Sequence, residues 1–240
     1  MTRVAIIAAM PGELKPLVRG WENERRGDVH LWRWRFDEGE WVAACAGAGQ
    51  QAATRAFAAV EQDGPVTSLI SAGWVGALSE QARPGQAYRV SSVIDSKTGE
   101  RFQAAQFSNE CVLVTSPRVA DGAEKRRLAE AYGAMLVDME AAAVARLAGM
   151  RGIPFYGFKG VSDGFSENLL DFNRFISPEG QFETGRLLFF VLPRPWHWPA
   201  LIRMGENSRQ ASQSIAESLL DFLDERGHIR KRNGYPNLKP

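Results

Sequence analysis

Three carboxylates stand where a small molecule could meet them. Two of them, Glu140 and Asp163, lie in residues 134–164, AMLVDMEAAAVARLAGMRGIPFYGFKGVSDG. Ala134 to Val137 is a short apolar run of the kind that forms a buried strand. Ala141 to Met150 is an Ala-rich helix pattern, broken by Gly152 and Pro154. Phe155 to Val161 is a second apolar run, closed by Ser162-Asp163-Gly164. This reading puts Glu140 and Asp163 at the carboxyl ends of two strands joined by a crossover helix. Open α/β sheets bind their ligands in that kind of crevice. Two carboxyl groups whose surroundings favour opposite protonation states can serve as acid and base. The third, Glu13, follows a fully buried first strand, Val4 to Ala9, across the loop Met10-Pro11-Gly12. Taken alone, Glu13 reads as a solvated carboxylate at a helix start, where its charge suits the dipole.

A chain of 240 residues with 45% hydrophobic content suits one α/β domain with a sizeable core. We take residues 1–225 as that domain and residues 226–240 as a basic, frayed tail. A net charge of +1 gives no global bias toward nucleic acid, and none is expected as a partner. Two cysteines, Cys45 and Cys111, make no disulfide framework and fit a reducing cytosol. His30, His197 and His228 are far apart, and no His/Cys/carboxylate cluster has metal-ligand spacing, so no metal is expected. Val4 to Met10 is too short for a signal peptide's apolar region. No stretch approaches the ~20 apolar residues of a membrane span. A cytoplasmic protein is expected.

Other elements position these groups. Leu14 to Arg19 starts a helix, interrupted by Pro16. His30 to Phe36 alternates Trp32, Trp34 and Phe36 with Arg33 and Arg35, a half-buried strand that returns after a Glu38–Glu40 turn as Trp41 to Ala46. Gly47-Ala48-Gly49-Gln50-Gln51-Ala52 then opens a helix to about Glu61. It fits the G-x-G-x-x-A dinucleotide pattern, but the following strand, Val66 to Ile70, ends in Ser71-Ala72-Gly73 without the acid that such a site requires. A tight turn and close packing explain these glycines better. Ala87 to Ile94 and Cys111 to Thr115 are further strands. Ala123 to Tyr132 is an amphipathic helix with Lys and Arg on its outer face.

Residues 185–206 are unusual. Leu187 to Leu192 is apolar, and Pro193 to Met204 interleaves Pro, Trp and Arg. A lid, a subunit contact or a membrane-interface element at 187–204 is expected, beside the plainer reading of an ordinary packed segment. The last helix is expected from Asn207 to Glu225.

Three motifs in order, Glu13 after Met10, Val137-Asp138-Met139-Glu140-Ala141-Ala142 and Val161-Ser162-Asp163, resemble those of the purine nucleoside phosphorylase and nucleosidase superfamily. The similarity extends over residues 3–165. It is nearest to the methylthioadenosine/S-adenosylhomocysteine nucleosidases and to their hopanoid-associated phosphorylase branch. The resemblance implies a three-layer αβα sandwich around a mixed, partly barrel-like sheet. It implies Asp163, oriented by Ser162, as the acid that protonates N7 of a leaving purine. An aspartic acid is ordinarily ionised near neutral pH, so this role calls for burial that favours the neutral form. Glu140 would accept hydrogen bonds from the ribose hydroxyls and favour the cationic sugar, with Met139 packed on the ring. Glu13 would hold or deprotonate the attacking water. Gly73 and Trp74 match a glycine-rich strand end near the sugar and base, where Trp74 replaces the family's small residue. Val119 takes the place of a base-stacking aromatic, with Phe165 or Trp74 as substitutes.

Family phosphorylases cradle phosphate with arginines and a Gly-Asp-Pro loop. Here the first loop carries Glu13 and the second position is Ser71, which favours hydrolysis. The resemblance therefore implies cleavage of an adenine nucleoside by water, without a cofactor, with phosphate entering only as the co-substrate of a phosphorylase. If 187–204 is an apolar lid or membrane element, the nucleoside carries an apolar or lipid-linked 5′ group and the protein sits peripheral to the inner membrane. A homodimer or larger homo-oligomer is implied as well. A nucleoside phosphorylase and a non-catalytic, membrane-peripheral nucleoside-binding protein are the alternatives.

Overall fold

A computed structural model describes residues 2–36, 39–105, 111–167 and 170–225. The basic tail at 226–240 lies outside these residues, as does Glu38 of the first hairpin turn. The chain runs through β1 (Thr2–Ala8), α1 (Pro11–Leu14), β2 (Glu22–Arg26), β3 (Val29–Phe36), β4 (Gly39–Cys45), α2 (Gln50–Glu61) and β5 (Ser68–Ala77). It continues through β6 (Ala87–Val90), β7 (Ser92–Asp95), β8 (Arg101–Gln103), β9 (Val112–Thr115), α3 (Gly122–Tyr132) and β10 (Leu136–Asp138). Then follow α4 (Ala141–Met150), β11 (Phe155–Asp163), α5 (Thr184–Val191) and α6 (Trp198–Glu225). Short 3-10 turns cover Phe172–Phe175 and Pro195–His197.

The strands form one mixed sheet with helices on both faces. Its first strand explains the layering. Successive side chains of a strand point to opposite faces. Ala5 and Ile7 join the core beneath α2 and α4. Val4, Ile6 and Ala8 join a second core that α6 covers with Ile215, Leu219 and Phe222. A strand apolar on both faces must be covered on both, as its unbroken apolar run predicts. The small side chains of Ala141, Ala142, Ala145 and Ala148 let α4 lie close against the sheet.

The sheet order is β2-β3-β4-β1-β5-β10-β9-β7-β8, and β11 pairs with β5 and β6. The sheet branches at β5 and is not closed into a barrel. The strand expected to stop at Ile70 runs on to Ala77, because Gly73 and Gly76 leave room where other groups approach. This corrects the crossover arrangement. β11 runs parallel to β5, but β10 runs antiparallel to it, so the strands of Glu140 and Asp163 are not parallel neighbours. They flank the end of β5 from either side: Gly76 is the register partner of both Val137 and Asp163. Ser162 and Asp163 belong to β11 itself rather than to the turn after it.

Two helix expectations also change. The first helix is a single turn ending at Leu14, ahead of Pro16, and it includes Glu13. The last begins at Trp198, with Pro199 in the first turn, where a missing N–H costs nothing. Half of the Trp/Pro segment is therefore the start of α6. No helix among the described residues is long and apolar enough to cross a membrane.

Candidate active site

A cavity of about 320 Å³ opens where β1, β5, β10 and β11 end. That volume falls within the ~300–1,000 Å³ of small-molecule sites. Glu13, Lys125, Asp138, Glu140, Ser162 and Asp163 form its polar wall. Phe172, Ile176, Phe182, Leu187 and Met204 form an apolar wall opposite in character. The two carboxylates of residues 134–164 and Glu13 are thus brought to one place.

Glu13 is buried and held by backbone alone. Its Oε2 accepts N–H bonds from Ala9 at 2.7 Å and Met10 at 2.8 Å, and its Oε1 accepts one from Trp74 at 2.8 Å. It is not the solvated helix-start carboxylate that its local sequence offers. Gly73 does not line the cavity but lies behind this carboxylate. It has φ 147°, and a Cβ there would stand 2.8 Å from Glu13 Oε1. Gly73→Ala should therefore lower stability by about 1–3 kcal/mol, in a backbone region that L side chains avoid. It should also displace Glu13, so thermal melting and turnover of the purified variant should fall together.

Glu140 stands at the start of α4. Its Oε1 accepts the Gly49 N–H at 2.6 Å, so the glycine turn expected from sequence serves as a carboxylate holder. Gly49 has φ 93°, which suits glycine. Beneath it, Asp138 Oδ1 accepts the Thr115 hydroxyl at 2.7 Å and Oδ2 accepts the Ala141 N–H at 2.9 Å. The buried ammonium of Lys159 lies 2.8 Å from the same Oδ2.

Asp163 is not an isolated carboxyl in apolar surroundings. Ser162 donates to its Oδ1 at 2.6 Å, as expected. The buried Lys125 ammonium donates to its Oδ2 and, at 2.7 Å, to the Gly164 carbonyl. The outer-face reading of α3 is thereby corrected for this residue. Lys125 and Leu128 are the buried residues of α3, three apart and on one face.

Lys125, Asp138 and Lys159 are the polar groups that sequence reasoning missed. Their signals were present. Lys159 interrupts an otherwise apolar strand, and lysine is almost never fully buried unless paired. Lys125 shares the helical spacing of an apolar residue.

The remaining expected residues divide. Met139, Val119 and Trp74 line the cavity. Val119 is fixed by Asn173, whose side chain bonds its N–H and C=O at 2.9 and 3.0 Å. The Trp74 indole N–H donates to Ser212 of α6 at 2.9 Å. Phe165 is not on the lining; it packs against the α2/α4 core, because β11 continues past the point where it was taken to end.

Four buried carboxylates, Glu13, Asp138, Glu140 and Asp163, surround two buried ammonium groups, Lys125 and Lys159. Ionising all six would bury excess negative charge, which a low-dielectric interior resists. Burial accordingly raises Glu13 above the usual carboxylate range, against the pull of its three N–H bonds and Lys159. Burial, then the neighbouring Asp138 charge, push Glu140 up to about 8. A raised carboxyl binds a proton in the folded chain that the unfolded chain has lost. Its stabilising contribution is full below the ordinary value near 4.5 and is lost as pH rises through about 8. Thermal stability of the ligand-free protein should fall across that window, and Glu140→Gln should flatten the fall. An unchanged slope in the variant would assign it to another group.

A family model described as the phosphorylase superfamily matches residues 3–117 and 96–180. Comparison with curated proteins finds no match in sequence. Solved structures do match. The 5′-methylthioadenosine nucleosidase of Arabidopsis thaliana is 18% identical with a TM-score of 0.73, over 97% of this chain and 98% of that one. The 5′-methylthioadenosine/S-adenosylhomocysteine nucleosidase of Helicobacter pylori, solved with butyl-thio-DADMe-Immucillin-A, is 15% identical with a TM-score of 0.70, over 94% and 99%. Futalosine hydrolase of the same organism is 15% identical with a TM-score of 0.69, over 93% and 98%. With three-quarters of its length under the family model and its whole fold shared with these structures, the chain belongs to the phosphorylase superfamily.

Proposed function

We propose that this protein is a purine nucleosidase that hydrolyses the N-glycosidic bond of an adenine nucleoside. The observation that carries the reading is the gathering of Glu13, Glu140 and the Ser162–Asp163 pair on one cavity wall. Breaking the bond leaves positive charge on the sugar and negative charge on the base. Glu13 and Glu140 meet the first need. Their environment resists a second and third buried negative charge, and an oxocarbenium-like sugar relieves that resistance at the moment it forms. Asp163 meets the second need by delivering a proton to N7. Glu13 orients the water, and its raised affinity for protons suits it to take one from that water.

Water is favoured over phosphate for an electrostatic reason. A phosphate dianion beside Glu13 and Glu140 would add two charges to a wall already rich in carboxylates. Arg118 is the one arginine on the lining among the described residues, and it belongs to the loop before α3 with Val119. The test is adenine release from 5′-methylthioadenosine and adenosine, with and without phosphate. Release without phosphate, giving the free sugar, is expected. Strict phosphate dependence with a sugar 1-phosphate product would make the protein a phosphorylase.

The apolar wall supports a substrate with an apolar 5′ group. The elements that give Leu187 and Met204 to that wall, α5 and the start of α6, also carry exposed apolar side chains with the turn between them: Phe189 is 83% and Trp196 68% exposed, with Leu188, Leu192 and Ile202. Arg186, Arg194 and Arg203 lie in the same segment. Aromatic and cationic side chains around apolar ones match an anionic lipid surface, where a lipid-linked nucleoside would be met. Along a 5′-alkylthioadenosine series, each added methylene should tighten KM about fourfold, from ~0.8 kcal/mol of burial. A flat series would confine the substrate to short groups. Vesicles containing phosphatidylglycerol should sediment the protein, and Phe189→Asp should release it. If the same substitution instead dissociates a dimer in ultracentrifugation, the surface is a subunit contact.

A further inference from the structure

We propose that Lys125 is the proton source behind Asp163, so that the acid of this site is a lysine–aspartate pair rather than a lone carboxyl. The inference rests on the nucleosidase reading and deepens it. Lys125 reaches the cavity from the inner face of α3 and ends on Asp163 Oδ2 and the Gly164 carbonyl. Ser162 occupies Asp163 Oδ1. Among the described residues, Asp163 of β11 is the only titratable group that Lys125 bonds. β5 presents no titratable group here: its Val75 carbonyl stands 3.2 Å from the Ser162 hydroxyl, and a Cβ at Gly76 would stand 3.1 Å from Asp163 Oδ2 and 3.2 Å from Lys125 Cε. β10 contributes the apolar Val137. On the helix of Lys125 itself, Asp121 is used in capping and Glu124 turns outward to Arg127.

A buried ammonium touching a carboxylate oxygen can act in one of two ways. It can hold the carboxylate still, or it can give it a proton. The second act answers a need of the reaction, since a purine leaving without a proton would depart as an anion. As the C1′–N9 bond breaks, its electron pair goes to the purine. A proton passes from Lys125 to Asp163 Oδ2 and on to N7, which leaves Lys125 a neutral amine and Asp163 the carboxylate it was. Water adds to C1′ and gives its proton to Glu13. Exchange with solvent returns a proton to Lys125 and removes the one on Glu13. Lys125 acts through Asp163 and is a positioning and proton-holding residue.

The experiment compares two leaving groups. Adenine must be protonated to leave; 4-nitrophenolate, from 4-nitrophenyl riboside, leaves without a proton. Lys125→Gln keeps hydrogen-bond donors toward Asp163 and Gly164 but holds no proton to give. We expect it to lower kcat for adenine release about 10²-fold, to move the pH profile of that rate, and to change 4-nitrophenol release by less than about threefold. Lys125→Arg, which keeps a bound proton but releases it far less readily, should recover binding and KM without recovering kcat. Equal losses on both substrates, or none on either, would overturn the proposal in favour of a structural ion pair. If the native protein cleaves no nucleoside at all, the nucleosidase reading fails first. The pair is then tested by carboxyl-carbon NMR of Asp163: a titration that Lys125→Gln leaves unchanged, or displaces equally with and without adenine, overturns it, and a displacement that adenine alters upholds the shared proton.

Discussion

Asp163→Asn should lower kcat for adenine release by about three orders of magnitude while leaving nucleoside binding within a few-fold. General acid catalysis supplies about 10²–10⁴-fold, and an amide cannot give the proton that N7 needs. The surroundings add a second expected effect. Asp163 receives donors on both oxygens, from Ser162 and from Lys125. An asparagine can turn its oxygen toward only one of them and leaves the other facing an N–H₂ group. With Ser162 satisfied, the Lys125 ammonium is buried without an anion, and removing one partner of a buried pair costs about 3–5 kcal/mol. The single variant should therefore melt early. The double variant Lys125→Met/Asp163→Asn removes both charges and should regain most of that stability, yet no activity. If the double variant turned over substrate, the acid would lie elsewhere. If the single variant lost binding as well as turnover, a role for Asp163 in holding the nucleoside would outweigh its acid role.

Glu13→Gln should lower kcat by about two to three orders of magnitude and remove the acidic limb of the pH–rate profile. The base that takes a proton from water must be ionised, and burial raises Glu13 above the ordinary carboxylate range. The native rate should rise with pH above that range. A glutamine has nothing to ionise there, so the rise should vanish. Three backbone N–H groups point at the Glu13 carboxylate. A glutamine oxygen turned to Ala9 and Met10 sets its own N–H₂ against Trp74. Some loss of stability should follow, read by thermal melting, separately from the pH profile. A limb that persists in the variant would move the titrating role to Glu140.

Much of this was legible in the chain because it is local. The first strand, α4 at Ala141–Met150 and the second apolar run after it follow from periodicity and breakers; the structure keeps the bounds of α4, starts the first strand at Thr2 and carries the second run on to Asp163. Glu140 and Asp163 were legible as carboxyls at the ends of two apolar runs, whereas Glu13 was singled out only by the resemblance of three ordered motifs. Pairing between distant segments was not legible. β10 crosses to the far side of β5 in antiparallel sense, and no residue in β10 records that choice. Lys125 was hidden by its company. In a helix rich in Lys and Arg the eye assigns every cation to solvent, and only the spacing to Leu128 separates this one. The Gly47–Gly49 turn illustrates the converse. Its pattern invited a dinucleotide, but its function lies in one N–H directed at Glu140.

Ser212 binds the two ends of the chain's history together. It lies on α6, accepts the Trp74 indole N–H and shares its own proton between the Ser208 carbonyl at 3.0 Å and the Gly12 carbonyl at 3.1 Å. Gly12 belongs to α1, the single turn that carries Glu13. During synthesis, this turn and the strand of Trp74 emerge long before α6, and the pocket floor stays unfinished until α6 arrives. Contacts so distant in sequence are formed late and slow the approach to the native state. A nascent chain therefore presents no competent nucleoside site while it is still being made. Folding and the onset of activity become one event, and a chain halted before α6 would emerge inert.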